Sequence, residues 1–238
     1  MTEQYRFGYH PDLLARFPTL TAGVVFAKAI DNMSEGTAAE GLLRAQEDVT
    51  TASYASIPIS SHPHIASWRA AYSSFGVKPT QYRSAVEALL RHVLKSGAVP
   101  HINKLVDICN YVSLKHVLPV AAYDLAFVSG PVEVRFAKGD EPFLPLYAKE
   151  IEYPKPGEVV YTDDEGALSR RWVWRQCDRA KTTPQTRDAL LTTEGINDIQ
   201  LEKVAAATKE LASLVSRFCG GELSWSLLDP DHPWAVSE

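Results

Sequence analysis

Apolar positions recur at three- and four-residue steps through the first half of the chain. They then fall into short β-branched and aromatic runs separated by Gly, Pro and Asp. The first period belongs to helices that bury one stripe, the second to strands. Tyr5–Tyr9 alternates, PDLLARFP from Pro11 reads as a Pro-initiated turn of helix, and TAGVVFAKAI (21–30) is β-branched enough for a buried strand. A helix is predicted over 35–56, broken by Pro58 and Pro63. A second follows, with Ile65, Trp68, Tyr72 and Phe75 on one side and Gly76 at its end. The third opens on Ser84-x-x-Glu87, a capping box in which Ser accepts from the third residue's N–H and Glu reaches back. Val86, Leu89, Leu90, Val93 and Leu94 form its apolar face, and Gly97 stops it. Short strands are predicted from about residue 130. A long helix starts near Asn197, carries Leu201, Val204, Leu211, Val215 and Phe218 on one side, and ends at Gly220-Gly221 before a last strand, ELSWSLL. Helices, then strands, then helix plus strand predict an α+β arrangement rather than the regular alternation of a doubly wound sheet.

Residues 99–124, VPHINKLVDICNYVSLKHVLPVAAYD, break the simple pattern by threading Asn103, Asp107, Asn110 and Asp124 through an otherwise apolar run. An amide or carboxylate buried without a partner costs about 1–3 kcal/mol, so four of them among Leu, Val and Ile predict an organised polar network. Asp107, Asn110 and Asp124 could hold a ribose or an attacking water, or could cap helix ends and satisfy loop amides. Asn103 and Tyr123 lie at segment ends, where side chains can face a cavity.

RRWVWRQ (170–176), read as a strand, would alternate. Arg171 and Arg175 would share a face with Val173, while Trp172, Trp174 and Gln176 would lie on the other. Six basic residues lie between 170 and 187 with Asp178 as the only acid, so this is the local candidate for a phosphate contact. The alternative is structural: tryptophans in the core, and arginines paired with carboxylates such as Asp107, Asp124 or Glu141.

Composition narrows the classes. A chain of 238 residues with 45% apolar content buries one sizeable core, and a single domain over 1–238 is the expectation. A formal charge of −5 excludes a general nucleic-acid coat protein, though a binder of one nucleic-acid end needs only a local basic rim. Cys109, Cys177 and Cys219 form no CxxC pair and are odd in number, which predicts reduced thiols and neither a zinc site nor a disulfide. His62-x-His64 has no further ligands at metal spacing and reads as a solvated turn. No basic region followed by an apolar run opens the chain and no window approaches 18 apolar residues, so a cytoplasmic protein without a membrane partner is expected. GxSxG, HExxH, P-loop and GxGxxG patterns are absent.

The stretch 99–124, with VEVRFAKGDEPF (132–143), GEVVYTDDEGAL (157–168) and TRDALLTTEGI (186–196), resembles the B3/B4 editing module of the bacterial phenylalanyl-tRNA synthetase beta subunit. The likeness covers roughly residues 80–195. RRWVWRQ, which replaces a Gly-rich strand of the synthetase, makes the chain more similar to stand-alone B3/B4 proteins. The resemblance implies a barrel-like mixed β-sheet flanked by helices, with the strands of 130–195 curled against the helices of 35–116. Taken with the basic and aromatic run, it places the candidate site around Asn103, Asp107, Asn110, Tyr123, Asp124, Arg171, Trp174, Arg175 and Thr192. The last falls where the synthetase carries a glutamate that reads the misacylated amino acid, and Ala121 falls where it carries a histidine.

Two functions follow from this likeness. One is a trans-acting deacylase that clears mischarged aminoacyl-tRNA, a reaction whose ester is already activated and which needs no cofactor and no Ser-His-Asp triad. The other is a non-catalytic module that binds a tRNA acceptor end or an aminoacylated adenosine. No catalytic residue is assigned from sequence, and a metabolic enzyme on a borrowed scaffold is a third, weaker reading.

Overall fold

The computed structural model describes residues 4–237. In chain order the elements are β1 (Arg6–Tyr9), α1 (Pro11–Arg16), β2 (Thr21–Lys28), α2 (Thr37–Tyr54), α3 (Pro63–Ser74), α4 (Ala85–Ser96), α5 (Lys104–His116) and β3 (Val120–Asp124). They continue with β4 (Val132–Phe136), β5 (Val159–Asp163), β6 (Gly166–Arg170), β7 (Arg175–Gln176), β8 (Ala189–Gly195), α6 (Leu201–Cys219), β9 (Glu222–Leu228) and β10 (Trp234–Val236).

The helix ends follow from local chemistry. Pro63 occupies the first turn of α3, and the flanking His62 accepts the His64 N–H through Nδ1, so the HxH pair is a cap. Ser84 accepts the Glu87 N–H at 3.4 Å, but only this half of the predicted capping box forms. The buried Glu87 carboxylate turns instead to Arg69 and Arg91, each at 2.9 Å, because two guanidinium groups hold a carboxylate more strongly than one amide does. Gly97, at φ 81°, closes α4. Lys115 and His116 in the last turn of α5 both reach Glu210, tying that helix to α6.

The fold is α+β, with two open sheets rather than a barrel. One has six strands in the order β10-β1-β4-β5-β6-β7, the other four in the order β3-β8-β2-β9. Strands from both ends of the chain complete them, so residues 130–195 do not form a sheet alone. The segment between Ala137 and Glu158 carries Pro142, Pro145, Pro154 and Pro156, which cannot donate to a ladder, and only the isolated bridge Phe143–Glu152 forms within it. A continuous meander that could close is thereby interrupted.

One face of the four-stranded sheet takes α6. Gly23 of β2 makes this possible: a Cβ there would lie 1.7 Å from Thr208 Oγ1, and Thr193 of β8 meets the same hydroxyl at 2.7 Å. The opposite face turns toward the six-stranded sheet, and the main hydrophobic core fills the space between them. A smaller cluster around Leu43, Ile65, Val86 and Leu90 joins α2, α3 and α4, and Tyr111 packs against both clusters.

Candidate functional site

A cavity of about 190 Å³ lies between the sheets. Its walls are Tyr123 and Ala121 of β3, Tyr161 of β5, Ser169 of β6, and Val106, Cys109 and Asn110 of α5. Residues 172–176 form a further wall, and Glu194 of β8 stands at the end between the sheets. The lining is mostly apolar, with a few polar groups placed among it, as ligand cavities are.

Glu194 is the least expected group in this cavity. It is 1% exposed and has no cationic partner. Its carboxylate is held by neutral donors: Tyr9 Oη at 2.7 Å and Trp172 Nε1 at 2.9 Å on Oε1, and Tyr161 Oη at 2.5 Å on Oε2. Burial pushes its pKa up, opposed by these three hydrogen bonds. Burial also raises the Tyr9 and Tyr161 phenols far above their ordinary value, and the neighbouring carboxylate adds to this, so both remain donors. With three donors in place, Oε2 keeps an open lone pair, which a hydroxyl, amide or ammonium group of a ligand would fill.

RRWVWRQ does not continue as a strand. β6 ends at Arg170, and Arg171 and Trp172 follow with φ of 47° and 61°, two consecutive non-glycine residues in the left-handed region. The turn is held from both sides. Trp172 N–H donates to Val159 O at 2.6 Å, and Ser169 Oγ donates to Trp172 O at 2.7 Å. Trp172 drops into the core edge-on to Phe17 and Trp68. The Arg171 guanidinium lies over Tyr82 at 3.8 Å and Trp174 at 4.4 Å, and meets Glu158 at 3.4 Å. The two-faced reading of this segment is therefore replaced. Arg171 is buried among aromatic rings, whereas Arg175 is exposed beside the cavity. The acids of the predicted pairings differ as well: Arg170 takes Glu152 and Glu158, Arg179 takes Asp163, and Glu141 pairs with Arg135.

The residues expected at the site separate into two groups. Asn110, Tyr123, Trp174 and Arg175 line the cavity. The others hold the scaffold around it. Asn103 caps α5 through Val106 N–H and donates to Thr182 O, while Asp107 in the first turn of that helix binds His101, which precedes it, at 2.6 Å. Asp124 caps the short turn Leu125–Phe127 and accepts from Thr186 Oγ1 at 2.6 Å. Thr192 is buried 3.5 Å from Tyr161 Oη. The group that reaches the cavity from β8 is Glu194, two residues further along the same strand face. Its sequence signal was an acid inside an otherwise uncharged run, ALLTTEG.

Among the described residues, no cluster of three or more His, Cys, Asp and Glu could hold a metal ion, and all three cysteines are buried free thiols. Burial pushes the Cys109 thiol far up, which removes thiolate chemistry from the cavity wall. No helix among the described residues is long and apolar enough to cross a membrane.

The chain belongs to the B3/4 domain family, whose model matches residues 67–220. It is similar to phenylalanine–tRNA ligase beta subunits. Identity is 43% over 158 residues with that of Novosphingobium aromaticivorans, covering 57% of this chain and 20% of the relative. It is 31% over 120 residues with that of Ruegeria pomeroyi (50% and 15%) and 33% over 115 residues with that of Thermotoga maritima (48% and 14%). The chain thus spans no more than a fifth of the length of these relatives. A crystal structure of an N-terminal fragment of the phenylalanyl-tRNA synthetase beta subunit from Pyrococcus horikoshii aligns over 92% of this chain and 50% of its own, with 13% identity and a TM-score of 0.49.

Proposed function

We propose that the chain hydrolyses mischarged aminoacyl-tRNA in trans, in the cytoplasm, taking the aminoacyl side chain into the cavity between the sheets. The observation that carries this reading is the contrast within one cavity: apolar walls and a buried carboxylate at Glu194, with Trp174 and the exposed Arg175 on the outward wall. A side chain carrying a hydrogen-bond donor would fill the open position on Glu194. Arg175 would meet a phosphate or ribose of the acceptor end, and Trp174 would offer a ring to its terminal base. Water adding to the ester carbonyl and the ribose hydroxyl leaving would yield free amino acid and tRNA. Asn110 and Gln176 are two of the neutral polar side chains in the lining from which a water could be held.

A second reading, binding of an aminoacylated adenosine-like ligand without turnover, has one observation in its favour. The lining contains no histidine, its thiol is kept protonated by burial, and its carboxylate already accepts three hydrogen bonds. The test is deacylation of a panel of cognate and mischarged tRNAs. Ester loss faster than in protein-free controls for at least one tRNA supports hydrolysis. Saturable binding without acceleration selects the second reading, and neither result with any tRNA removes both.

A further inference from the structure

β9 is the outer strand of the four-stranded sheet. It pairs with β2 on one side from Glu222↔Lys28 to Leu228↔Ala22, and no strand among the described residues pairs with its other side. A seven-residue strand with an unpaired backbone edge is a template for another strand, and chains normally guard such edges with lysine, proline, a bulge or a covering loop. β9 has none of the first three within it: its sequence is Glu-Leu-Ser-Trp-Ser-Leu-Leu and its register with β2 is unbroken. At its centre Trp225 remains 41% exposed, with the Lys209 ammonium of α6 over its ring at 5.6 Å.

The order of these residues specifies the partner. Leu223-Ser224-Trp225-Ser226-Leu227 reads the same in both directions. In an antiparallel pair centred on Trp225, leucine faces leucine, serine faces serine and Trp225 faces its own copy. The only charged residue of the strand, Glu222, falls opposite Leu228, so no like charges meet within the ladder. An isologous two-fold contact needs a surface complementary to itself, and this strand is.

We propose that β9 is a homodimer interface, pairing antiparallel with β9 of a second copy about Trp225 to give a continuous eight-stranded sheet. Two edge strands bury an area at the low end of specific interfaces, so the dimer dissociates on dilution. The proposal is independent of the chemistry of the cavity, which is lined from this sheet by β3 and β8, with β2 standing between them and β9.

Sedimentation equilibrium of the full chain should give a mass rising with concentration from 26.3 kDa toward twice that value. Trp225→Lys, which places two ammonium groups opposite each other at the axis, should hold the mass at the monomer value with the circular dichroism spectrum and deacylation or binding activity unchanged. A constant 26.3 kDa for the unaltered chain, or a dimer that survives in folded W225K, overturns the proposal. The register is tested separately, since the native cysteines are buried. Under mild oxidation W225C should cross-link to itself. S224C should cross-link efficiently only when mixed with S226C, because disulfides need Cα atoms within about 7 Å. Equal cross-linking of S224C alone, or no cross-link in W225C, also overturns it.

Discussion

Replacing Glu194 by Ala removes the acceptor on which three buried donors converge: the Tyr9 and Tyr161 hydroxyls and the Trp172 N–H. Each unsatisfied buried donor costs about 1–3 kcal/mol. The two hydroxyls can rotate toward each other or toward water entering the cavity, but an indole N–H has a fixed direction and no acceptor role. The expected loss is therefore about 3–5 kcal/mol, between one fully orphaned donor and three. With a urea slope near the upper end of 1–3 kcal/mol per M for a chain of this size, the midpoint should fall by roughly 1–2 M. Glu194→Gln keeps an acceptor for Tyr9 and Trp172 and lets Tyr161 turn to accept. It exchanges charge-assisted bonds for neutral ones while removing the desolvation of a carboxylate, and should stay within about 1.5 kcal/mol of wild type. The pH dependence has a definite sign. Because the folded pKa of Glu194 is raised, the folded state binds the proton more readily. Wild-type stability relative to E194Q should rise as pH falls from that raised value to the ordinary carboxyl range, and stay constant above it. Denaturation at several pH values checks both statements. An E194A variant within about 1 kcal/mol of wild type, or E194Q as damaging as E194A, would refute the reasoning.

Trp172→Ala should cost about 3–5 kcal/mol, since the ring is fully buried against Phe17 and Trp68, with the loss read from thermal and urea denaturation. Arg171→Ala and Arg175→Ala should separate. The first lowers the melting temperature because it removes the buried guanidinium packed against the Tyr82 and Trp174 rings, which themselves meet edge-on. The second leaves stability intact but weakens tRNA binding on the order of ten- to a hundredfold with a shallower salt slope. Glu87→Ala should destabilise by roughly 1–3 kcal/mol rather than the full cost of a broken buried pair, because Arg69 and Arg91 are partly exposed and regain water; chemical denaturation measures it. Thiol reagent should modify Cys109, Cys177 and Cys219 slowly in the folded protein and all three at once on unfolding, followed by absorbance.

Element types were legible because each rests on a short-range signal: Pro63 ahead of α3, Gly97 closing α4, and the apolar stripe of α6, although His62, read as a solvated turn, proves to be the cap of α3. Sheet closure was not, because it depends on pairings between residues more than two hundred positions apart, such as Phe7 with Ala235. The turn at Arg171–Trp172 was missed for a related reason. Nothing in RRWVWRQ resembles a turn, and the left-handed backbone there is imposed by the stacked guanidinium, the buried indole and the Ser169 hydroxyl rather than by glycine. Asn110, Tyr123, Trp174 and Arg175 drew attention as a polar residue in an apolar run, an aromatic residue at a segment end and an Arg/Trp cluster, and all four line the cavity; Asn103, picked on the same segment-end argument as Tyr123, instead caps α5. Glu194 was passed over: its one local mark is an acid in the uncharged run ALLTTEG, and the convergence of donors from residues 9, 161 and 172 that makes it a site leaves no local pattern.

β1 lies between β4 and β10 and carries Tyr9, one of the donors to Glu194. During synthesis the residues of β1 emerge long before Trp234–Val236 exist. At 5–20 residues per second the delay is roughly 10–45 s. Throughout that interval β1 has an unpaired edge, and the four-stranded sheet waits for β9 as well. The nascent chain therefore carries two unfinished sheet edges until translation has nearly reached β10. A chain truncated anywhere before Glu222 would lack both β9 and β10, leaving β1 and β2 each with an unpaired edge.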